Sequence, residues 1–148
     1  MSKKESFSPQ QWFICTLSKE GFHNWGLCKE VGLWGVPTNG RNITKPDLHK
    51  GDGLIVYAAS RGFKAICKIN GDARRPIDKQ EAPWAGGVFR YGLVIPFSVV
   101  EEFEKPIAAQ FPNQRLKGTS ITTTQLRKGF SSITAEDGQA VLKLVAQL

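Results

Sequence analysis

The feature that most constrains this chain is a pair of apolar segments joined by a short, glycine-containing connection. Residues 54–58 (LIVYA) follow the turn signal GDG at 51–53 and are typical of a buried strand. Residues 63–69 (FKAICKI) carry apolar side chains at every second position, with lysines between them. This alternation is typical of a strand exposed on one face. Only residues 59–62 (ASRG) separate the two segments, so the sequence predicts a β-hairpin.

Further strands and helices are predicted on both sides of the hairpin. Residues 11–16, 33–36, 88–96 and 98–104 favour strands, whereas 18–30 and 122–128 favour helices. Ser18 is a candidate N-cap for the first helix, and Gly32 its C-terminal glycine. Thr134 and Asp137 resemble a capping box before a C-terminal helix. An apolar stripe on that helix is expected to pack on the sheet; it comprises Ala140, Val141, Leu144, Val145 and Leu148.

Length and composition set the broad class of the protein. A chain of 148 residues is expected to form one domain, which we place at residues 11–148 after a flexible segment at 1–10. No apolar run approaches the ~20 residues needed to cross a bilayer, and the first residues lack a secretory signal. The sequence therefore predicts a cytoplasmic protein that does not enter a membrane. The fold class expected from this order of elements is α+β.

The residues that commonly hold metals or perform catalysis form no recognisable pattern. Cys15, Cys28 and Cys67 lie in apolar segments and are expected to be buried free thiols, and the two histidines lack metal-ligand spacing. No glycine-rich phosphate loop or nucleophile motif occurs. We therefore expect no metal, no cofactor and no enzymatic activity. Two alternatives stay open: a small nucleotide-acting enzyme using His23 or a carboxylate, and a metabolite-binding domain.

The charge balance favours a polyanionic partner. The net charge is +7 and the isoelectric point is about 9.5, a combination typical of nucleic-acid-binding domains. Several basic residues lie in or beside the predicted loops, where they are candidates for phosphate contacts. These candidates are Arg41, Lys45, Arg61, Lys64, Arg74 and Arg75.

Four tryptophans divide by their context. Trp12 lies in an apolar strand and is expected in the core; Trp25 lies on the first helix, where core packing is favoured and a pocket role is the alternative. Trp34 (in VGLWGVPT) and Trp84 (in APWAGG) stand on short segments flanked by glycine or proline. Each of these two indoles could fill the core or form the wall of a pocket. Two indoles on converging loops of a basic domain would suit a flat, unpaired base.

The order of motifs along nearly the whole chain resembles a known family. Residues 34–37 (WGVP), 48–52 (LHKGD), 54–59 (LIVYAA), 62–71 (GFKAICKING), 83–84 (PW) and 86–97 (GGVFRYGLVIPF) follow one another as in EVE domains. EVE domains belong to the PUA-like superfamily and are related to YTH domains. The resemblance implies a curved, mostly antiparallel, barrel-like sheet flanked by helices. It also implies an aromatic pocket that holds one modified base.

The resemblance assigns roles to particular residues. Trp34 and Trp84 match the positions of the two cage aromatics, and Thr16 to Ser18 match the segment that contacts the base edge in YTH domains. The asparagines of that segment are absent here, so Asn24, Asn39 and Trp25 are further candidates for the pocket. EVE domains often accompany nucleases in modification-dependent restriction systems. The resemblance thus implies a reader that flips 5-methylcytosine or a related base out of DNA, with N6-methyladenine in RNA as the alternative.

Overall fold

The computed structural model describes residues 9–19 and 24–146. Its six strands are β1 (Trp12–Leu17), β2 (Leu33–Val36), β3 (Gly53–Ala58), β4 (Gly62–Ile69), β5 (Leu93–Ile107) and β6 (Phe130–Ile133). They form one curled sheet in the order β2-β5-β4-β3-β1-β6. The pair β1–β3 is parallel and the other four pairs are antiparallel. The predicted α+β fold with a mostly antiparallel, barrel-like sheet is therefore confirmed.

Four α-helices accompany the sheet within the described residues: α1 (Asn24–Val31), α2 (Gly87–Arg90), α3 (Thr123–Arg127) and α4 (Ala135–Ala146), with a 3₁₀ turn at Pro112–Gln114. Ser18, the predicted N-cap, and Lys19 are not helical. Gly32 ends α1 as predicted, because its amide donates to the carbonyl of Cys28 at 2.8 Å. Residues 1–8 of the predicted N-terminal segment, His23 and Leu148 lie outside the described residues.

The predicted hairpin is confirmed, but its exposure is not. β3 and β4 pair in antiparallel register, yet every residue of β4 except Lys68 is buried. Apolar side chains cover both faces of the sheet. One core contains Phe13, Cys15, Val56 and Cys67 with the tryptophans Trp25, Trp34 and Trp84. The other contains Trp12, Ile55 and Ile66 under the C-terminal third of the chain, including Leu116, Ile121, Val141 and Val145.

Residues 86–107 form a helical turn and one long strand, whereas the sequence predicts two strands at 88–96 and 98–104. Gly86 and Gly87 adopt left-handed backbone angles, with φ of 96° and 55°, and lead into the helical turn α2. The amides of Arg90 and Tyr91 donate to the carbonyls of Gly86 and Gly87, which closes this turn. The predicted strand at 88–96 therefore begins only at Leu93. It continues without interruption as β5, which pairs with β2 near its start and with β4 further on.

The C-terminal third supplies a strand that the sequence did not indicate. β6 pairs antiparallel with β1, from Cys15 opposite Phe130 to Trp12 opposite Ile133. Behind this pair, α4 packs on the sheet as predicted, with Val141 and Val145 buried. The ring of Trp12 lies so close to Gly138 that a Cβ there would be 2.3 Å from its Cγ atom, so α4 needs glycine at its contact with β1.

The N-terminus of α4 is capped differently from the predicted reciprocal box. The Asp137 amide donates to the Thr134 hydroxyl at 3.0 Å, so Thr134 acts as the N-cap. The Asp137 carboxylate, however, accepts the backbone amide of Ser120 at 3.0 Å and the hydroxyl of the same residue. It thereby fixes the loop before α3 against α4.

Candidate functional site

A cavity of about 480 Å³ opens at the C-terminal end of β1, between α1, β2, the segment around α2 and the turn before β6. The Thr16 amide donates to the Gly129 carbonyl at 3.0 Å and holds the end of β1 against that turn. The size falls in the ~300–1,000 Å³ range of small-molecule sites. We call it the tryptophan cavity; its lining residues are 16–18, 24, 28, 34, 35, 37, 84, 85, 90, 91 and 127–129.

Three aromatic side chains form the apolar part of the tryptophan cavity. Trp34 lies on β2 opposite Ile95 of β5, and Trp84 and Tyr91 flank α2. The rings of Trp84 and Tyr91 meet edge to face, with centroids 5.1 Å apart and planes at 61°. Each of the three residues is at most 8% exposed and also belongs to the core. The tryptophans therefore serve both of the alternatives left open by the sequence: they fill the core and line a cavity.

Gly35 determines how closely these rings approach β2. A Cβ at this position would lie 2.7 Å from Cζ3 of Trp84 and 2.9 Å from Cδ1 of Tyr91. Such distances are shorter than a normal van der Waals contact, so only glycine allows both rings to rest on the strand. The glycine after Trp34 thus has a definite purpose: it admits two aromatic rings from the α2 segment.

Two polar atoms at the tryptophan cavity have no hydrogen-bond partner among the residues that the structure describes. They are the hydroxyl oxygen of Thr16 and the indole nitrogen of Trp84, and both are buried. Burial raises the pKa of the neighbouring Cys28 thiol to about 12, and the nearby Trp84 indole N–H opposes this shift without reaching hydrogen-bond geometry. Cys28 is consequently a neutral, apolar part of the wall. Unpartnered buried donors and acceptors are costly, and a polar ligand would satisfy them.

The charged lining residues of the tryptophan cavity, within residues 9–19 and 24–146, are basic. They are Arg90, Arg127 and Lys128, and all three are exposed. The Arg90 guanidinium lies 5.2 Å from the centre of the Tyr91 ring, in a cation–π contact. Arg127 hydrogen-bonds to Thr123 within α3. The arrangement places positive charge around an aromatic interior.

The structure brings most of the predicted base-pocket residues together. Thr16, Ser18, Asn24, Trp34 and Trp84 all line the tryptophan cavity. Trp25 does not: it stacks on Phe97 with ring centres 5.9 Å apart, and its indole N–H donates to Glu102 at 3.0 Å. Asn39 lies in a neighbouring depression between the loop after β2 and β6.

The predicted phosphate-binding residues divide into two sets. Arg41, Lys45, Arg74 and Arg75 line an open groove of about 810 Å³ on the other side of α2, which we call the basic groove. Arg61 and Lys64 are not among its lining residues. Lys64 is only 8% exposed; its ammonium group donates to the Phe103 carbonyl at 2.9 Å and lies 3.4 Å from Glu102. This lysine is a structural part of the β4–β5 contact.

Two cations of the basic groove already have carboxylate partners. Lys45 forms a salt bridge with Asp72. Arg74 forms a bidentate salt bridge with Glu81, with N–O distances of 2.6 and 2.9 Å. Glu81 also accepts the Ile77 amide at 2.8 Å. The pKa of Glu81 is lowered to about 2, mainly by the hydrogen bond from Arg74 and to a smaller extent by that from the Ile77 amide. Arg74 therefore closes the loop at 74–81. Arg41 donates through Nε to the Thr38 carbonyl at 3.4 Å, and its other guanidinium N–H groups, like Arg75, remain available to a ligand.

Sequence reasoning missed Tyr91, Arg90, Arg127 and Lys128 as cavity residues. Tyr91 and Arg90 fall in the strand that the sequence predicts at 88–96, because nothing in its apolar pattern indicates the left-handed turn at Gly86 and Gly87. Arg127 and Lys128 reach the cavity because β6 pairs with β1, a long-range pairing without a local sequence signal. The basic pair directly before Gly129, at the end of a predicted helix, was the available clue.

A family model for the EVE domain matches residues 11–144 of this chain. The chain belongs to the EVE domain family. No functionally curated protein matches it in sequence. The EVE fold seen here is consistent with that assignment and with the relation to YTH domains.

Solved structures share the fold at low sequence identity. A hypothetical protein from Leishmania major has a TM-score of 0.57 at 12% identity, covering 95% of this chain and 98% of its own. A protein from Pseudomonas syringae has a TM-score of 0.54 at 18% identity, with 90% and 98% covered. A YTH domain from Zygosaccharomyces rouxii, in complex with N6-methyladenosine RNA, has a TM-score of 0.55 at 14% identity, with 91% and 83% covered.

Membership of the EVE family comes from the family model, and the likeness to the YTH domain is one of fold. Within residues 9–19 and 24–146, no helix is long and apolar enough to cross a bilayer.

Proposed function

We propose that this EVE domain binds DNA and holds one modified base, flipped out of the duplex, in the tryptophan cavity. The observation that carries the proposal is the combination in one cavity of three aromatic residues, two unpartnered polar atoms and three basic residues. Each component matches one part of a nucleotide. Modified cytosines, 5-methylcytosine first among them, are the preferred bases.

The aromatic residues suit the base itself. Trp34, Trp84 and Tyr91 are held by the core, so their positions are set before a ligand arrives. Stacking of a base on an aromatic side chain is worth about 1–3 kcal/mol, which offsets the cost of extracting the base from a duplex. A methyl group adds apolar area that such a cavity buries favourably.

The polar atoms suit the hydrogen-bonding edge of the base. The Thr16 hydroxyl can donate or accept, and the Trp84 indole N–H can only donate. Ser18 and Asn24 are further candidates at the same cavity. We assign the phosphate contacts on either side of the flipped nucleotide to Arg90, Arg127 and Lys128, which supply the positive charge at this cavity. No covalent step is part of this proposal, which describes a binding module.

A reader of modified RNA is the second candidate. The YTH domain with the same fold was solved with N6-methyladenosine RNA, and this likeness supports the alternative. We further propose that the domain directs a nuclease, fused or associated, to modified sites. The two nucleic acids are distinguished by the first experiment below.

The test is a binding panel measured by fluorescence anisotropy at several salt concentrations. Matched oligonucleotides carry 5-methylcytosine, 5-hydroxymethylcytosine, N6-methyladenine or no modification, as DNA duplexes and as RNA. We expect at least tenfold tighter binding of a cytosine-modified DNA duplex. Tighter binding of N6-methyladenine RNA would select the alternative, and equal affinities throughout would contradict both.

Charge-reversal variants test whether the cations of the tryptophan cavity contact the phosphates of the ligand. The double variant Arg127→Glu, Lys128→Glu removes two cations of the tryptophan cavity, whereas Arg115→Glu, Lys117→Glu makes the same change in net charge at exposed positions outside it. Each lost phosphate contact lowers the salt slope by about 0.9 for a DNA duplex. Only the first variant is expected to weaken binding strongly. Equal losses in both would indicate a non-specific effect of charge.

A further inference from the structure

An exposed apolar cluster beside the tryptophan cavity has no role in the proposed base site. Among the described residues, the large hydrophobic side chains with high exposure are Ile43, Ile77, Val88 and Phe89. Three of them, Ile43, Val88 and Phe89, line the basic groove together with its four cations. Phe89 is the most exposed of these three, at 70%. Single exposed apolar residues are ordinary, but a cluster within a charged groove marks a binding surface.

Contacts with the loop after β2 fix the position of the Phe89 ring. The Phe89 carbonyl accepts the Gly40 amide at 2.9 Å. The ring lies against the same glycine, where a Cβ would be 2.3 Å from its Cε2 atom. The carbonyl of Arg90 accepts the amides of Thr38 and Asn39, at 2.7 and 3.1 Å. The loop after β2 therefore clamps α2 and presents the ring toward solvent.

The charge of the basic groove indicates the chemistry of its occupant. In the described part of the chain, the charged residues that line the groove are four basic ones. Arg74 and Lys45 are engaged with Glu81 and Asp72, so Arg41 and Arg75 are the cations best placed to meet an external anion. An exposed aromatic face next to guanidinium groups is the combination that binds unpaired nucleotides, with the base on the ring and the phosphate on the cations.

The groove and the tryptophan cavity share one helical turn. Val88 and Phe89 line the groove, whereas Arg90 and Tyr91 line the cavity. The residues that line the two sites are consecutive in the chain, so the sites adjoin and a single nucleic-acid strand can reach both at once. An acidic peptide would also match the charge, but this continuity with the cavity favours nucleic acid.

We propose that the basic groove is a second nucleotide subsite, in which a base flanking the one in the tryptophan cavity is also unpaired and stacks on Phe89, while its phosphate binds Arg41 and Arg75. The inference rests on the proposed function, because it defines the groove relative to a base held in the tryptophan cavity. It adds that the groove contributes affinity without sequence or modification preference, because every base has an aromatic face. The cavity then discriminates between modified and unmodified bases, and the groove adds affinity for the strand.

The test uses single strands of one, three, five and nine nucleotides, with and without a central 5-methylcytosine. Phe89→Ala is compared with Ile77→Ala, an apolar position outside the groove lining that is also highly exposed. We expect Phe89→Ala to weaken binding of the nine-nucleotide strands about tenfold, with or without the modification. The modified mononucleotide, which cannot span both sites, is expected to bind unchanged.

The outcomes separate the two proposals. If wild type ignores the modification but Phe89→Ala still weakens strand binding, the cavity proposal fails and the groove proposal stands. If Phe89→Ala matches Ile77→Ala at every length, the groove proposal is overturned. Absence of any oligonucleotide binding by wild type, or stronger competition by a polyglutamate peptide than by a strand, overturns it as well.

Discussion

The tryptophan cavity and the basic groove lie on opposite sides of one helical turn, and they are built in opposite ways. In the cavity the aromatic residues are buried in the core and the cations are exposed around it. In the groove the aromatic residue is exposed, and half of the cations are paired with carboxylates. A rigid, desolvated cavity suits discrimination between similar bases, whereas an open, charged platform suits affinity for any strand. The predictions below examine this division.

The largest difference is expected in stability. Trp84→Ala removes a ring that is 4% exposed, and such truncations cost about 3–5 kcal/mol. Phe89→Ala removes a ring that is 70% exposed, and surface substitutions stay within about 0.5 kcal/mol. Chemical denaturation of both variants measures the free energies of unfolding. Similar values for the two would mean that the cavity aromatics are not core residues.

A smaller effect is expected from Gly35→Ala. The added methyl group would meet the rings of Trp84 and Tyr91, both rigid and buried, so we expect a loss of about 1–3 kcal/mol together with weaker binding of the modified base. Gly26→Ala is the matched control, because nothing lies within 4 Å of its Cβ position. It lies in the first turn of α1, so alanine there is expected to leave the protein at least as stable. A tolerated Gly35→Ala would show that the rings can withdraw from β2.

Within the basic groove, neighbouring arginines are expected to behave differently. Arg75→Ala is expected to lower the salt slope of single-strand binding by about 0.7 and leave the fold unchanged. Arg74→Ala is expected to loosen the loop at 74–81 because the pair with Glu81 is lost. Hydrogen exchange of the Ile77 amide, which donates to Glu81, distinguishes the two variants. If Arg75→Ala loosens the same amide, the division of roles between them is wrong.

The smallest effect concerns pH. The pKa of Glu81 is lowered to about 2 in the folded protein, so its contribution to stability is complete above the ordinary pKa of about 4.5 and is lost as the pH falls toward 2. The chemical shift of the Ile77 amide is expected to titrate near pH 2. In Arg74→Ala the midpoint is expected to rise toward the ordinary value. A midpoint that is the same in both proteins would contradict the pairing.

Local sequence signals were sufficient for the central hairpin and the C-terminal helix. The turn at residues 51–53 and the apolar stripe containing Val141 and Val145 act within one element, so the sequence alone predicts them. β6 has only two apolar residues in FSSI and exists through its pairing with β1. The turn at Gly86 and Gly87 was missed because the residues that follow it resemble a continuous strand.

The residues of the candidate site likewise divide into those with a local sequence signal and those without one. Trp34 and Trp84 were found because each stands on a short, glycine- or proline-flanked segment, a local property. For Trp25 the sequence favours core packing over a pocket role, and Trp25 is buried in the core, where its indole N–H donates to Glu102. Tyr91, Arg127 and Lys128 join the cavity through the turn at α2 and the placement of β6. Such contributions depend on tertiary structure and cannot be read from spacing.

The most direct test of the central claim is the affinity ratio between a modified and an unmodified DNA duplex when the tryptophan cavity is blocked. Ala85 lines the cavity and is exposed, so Ala85→Trp can fill the opening without disturbing the core. We predict that wild type binds the 5-methylcytosine duplex at least tenfold more tightly than the unmodified one, and that Ala85→Trp binds both equally. A ratio that is unchanged in folded Ala85→Trp would show that the modified base is not read in this cavity.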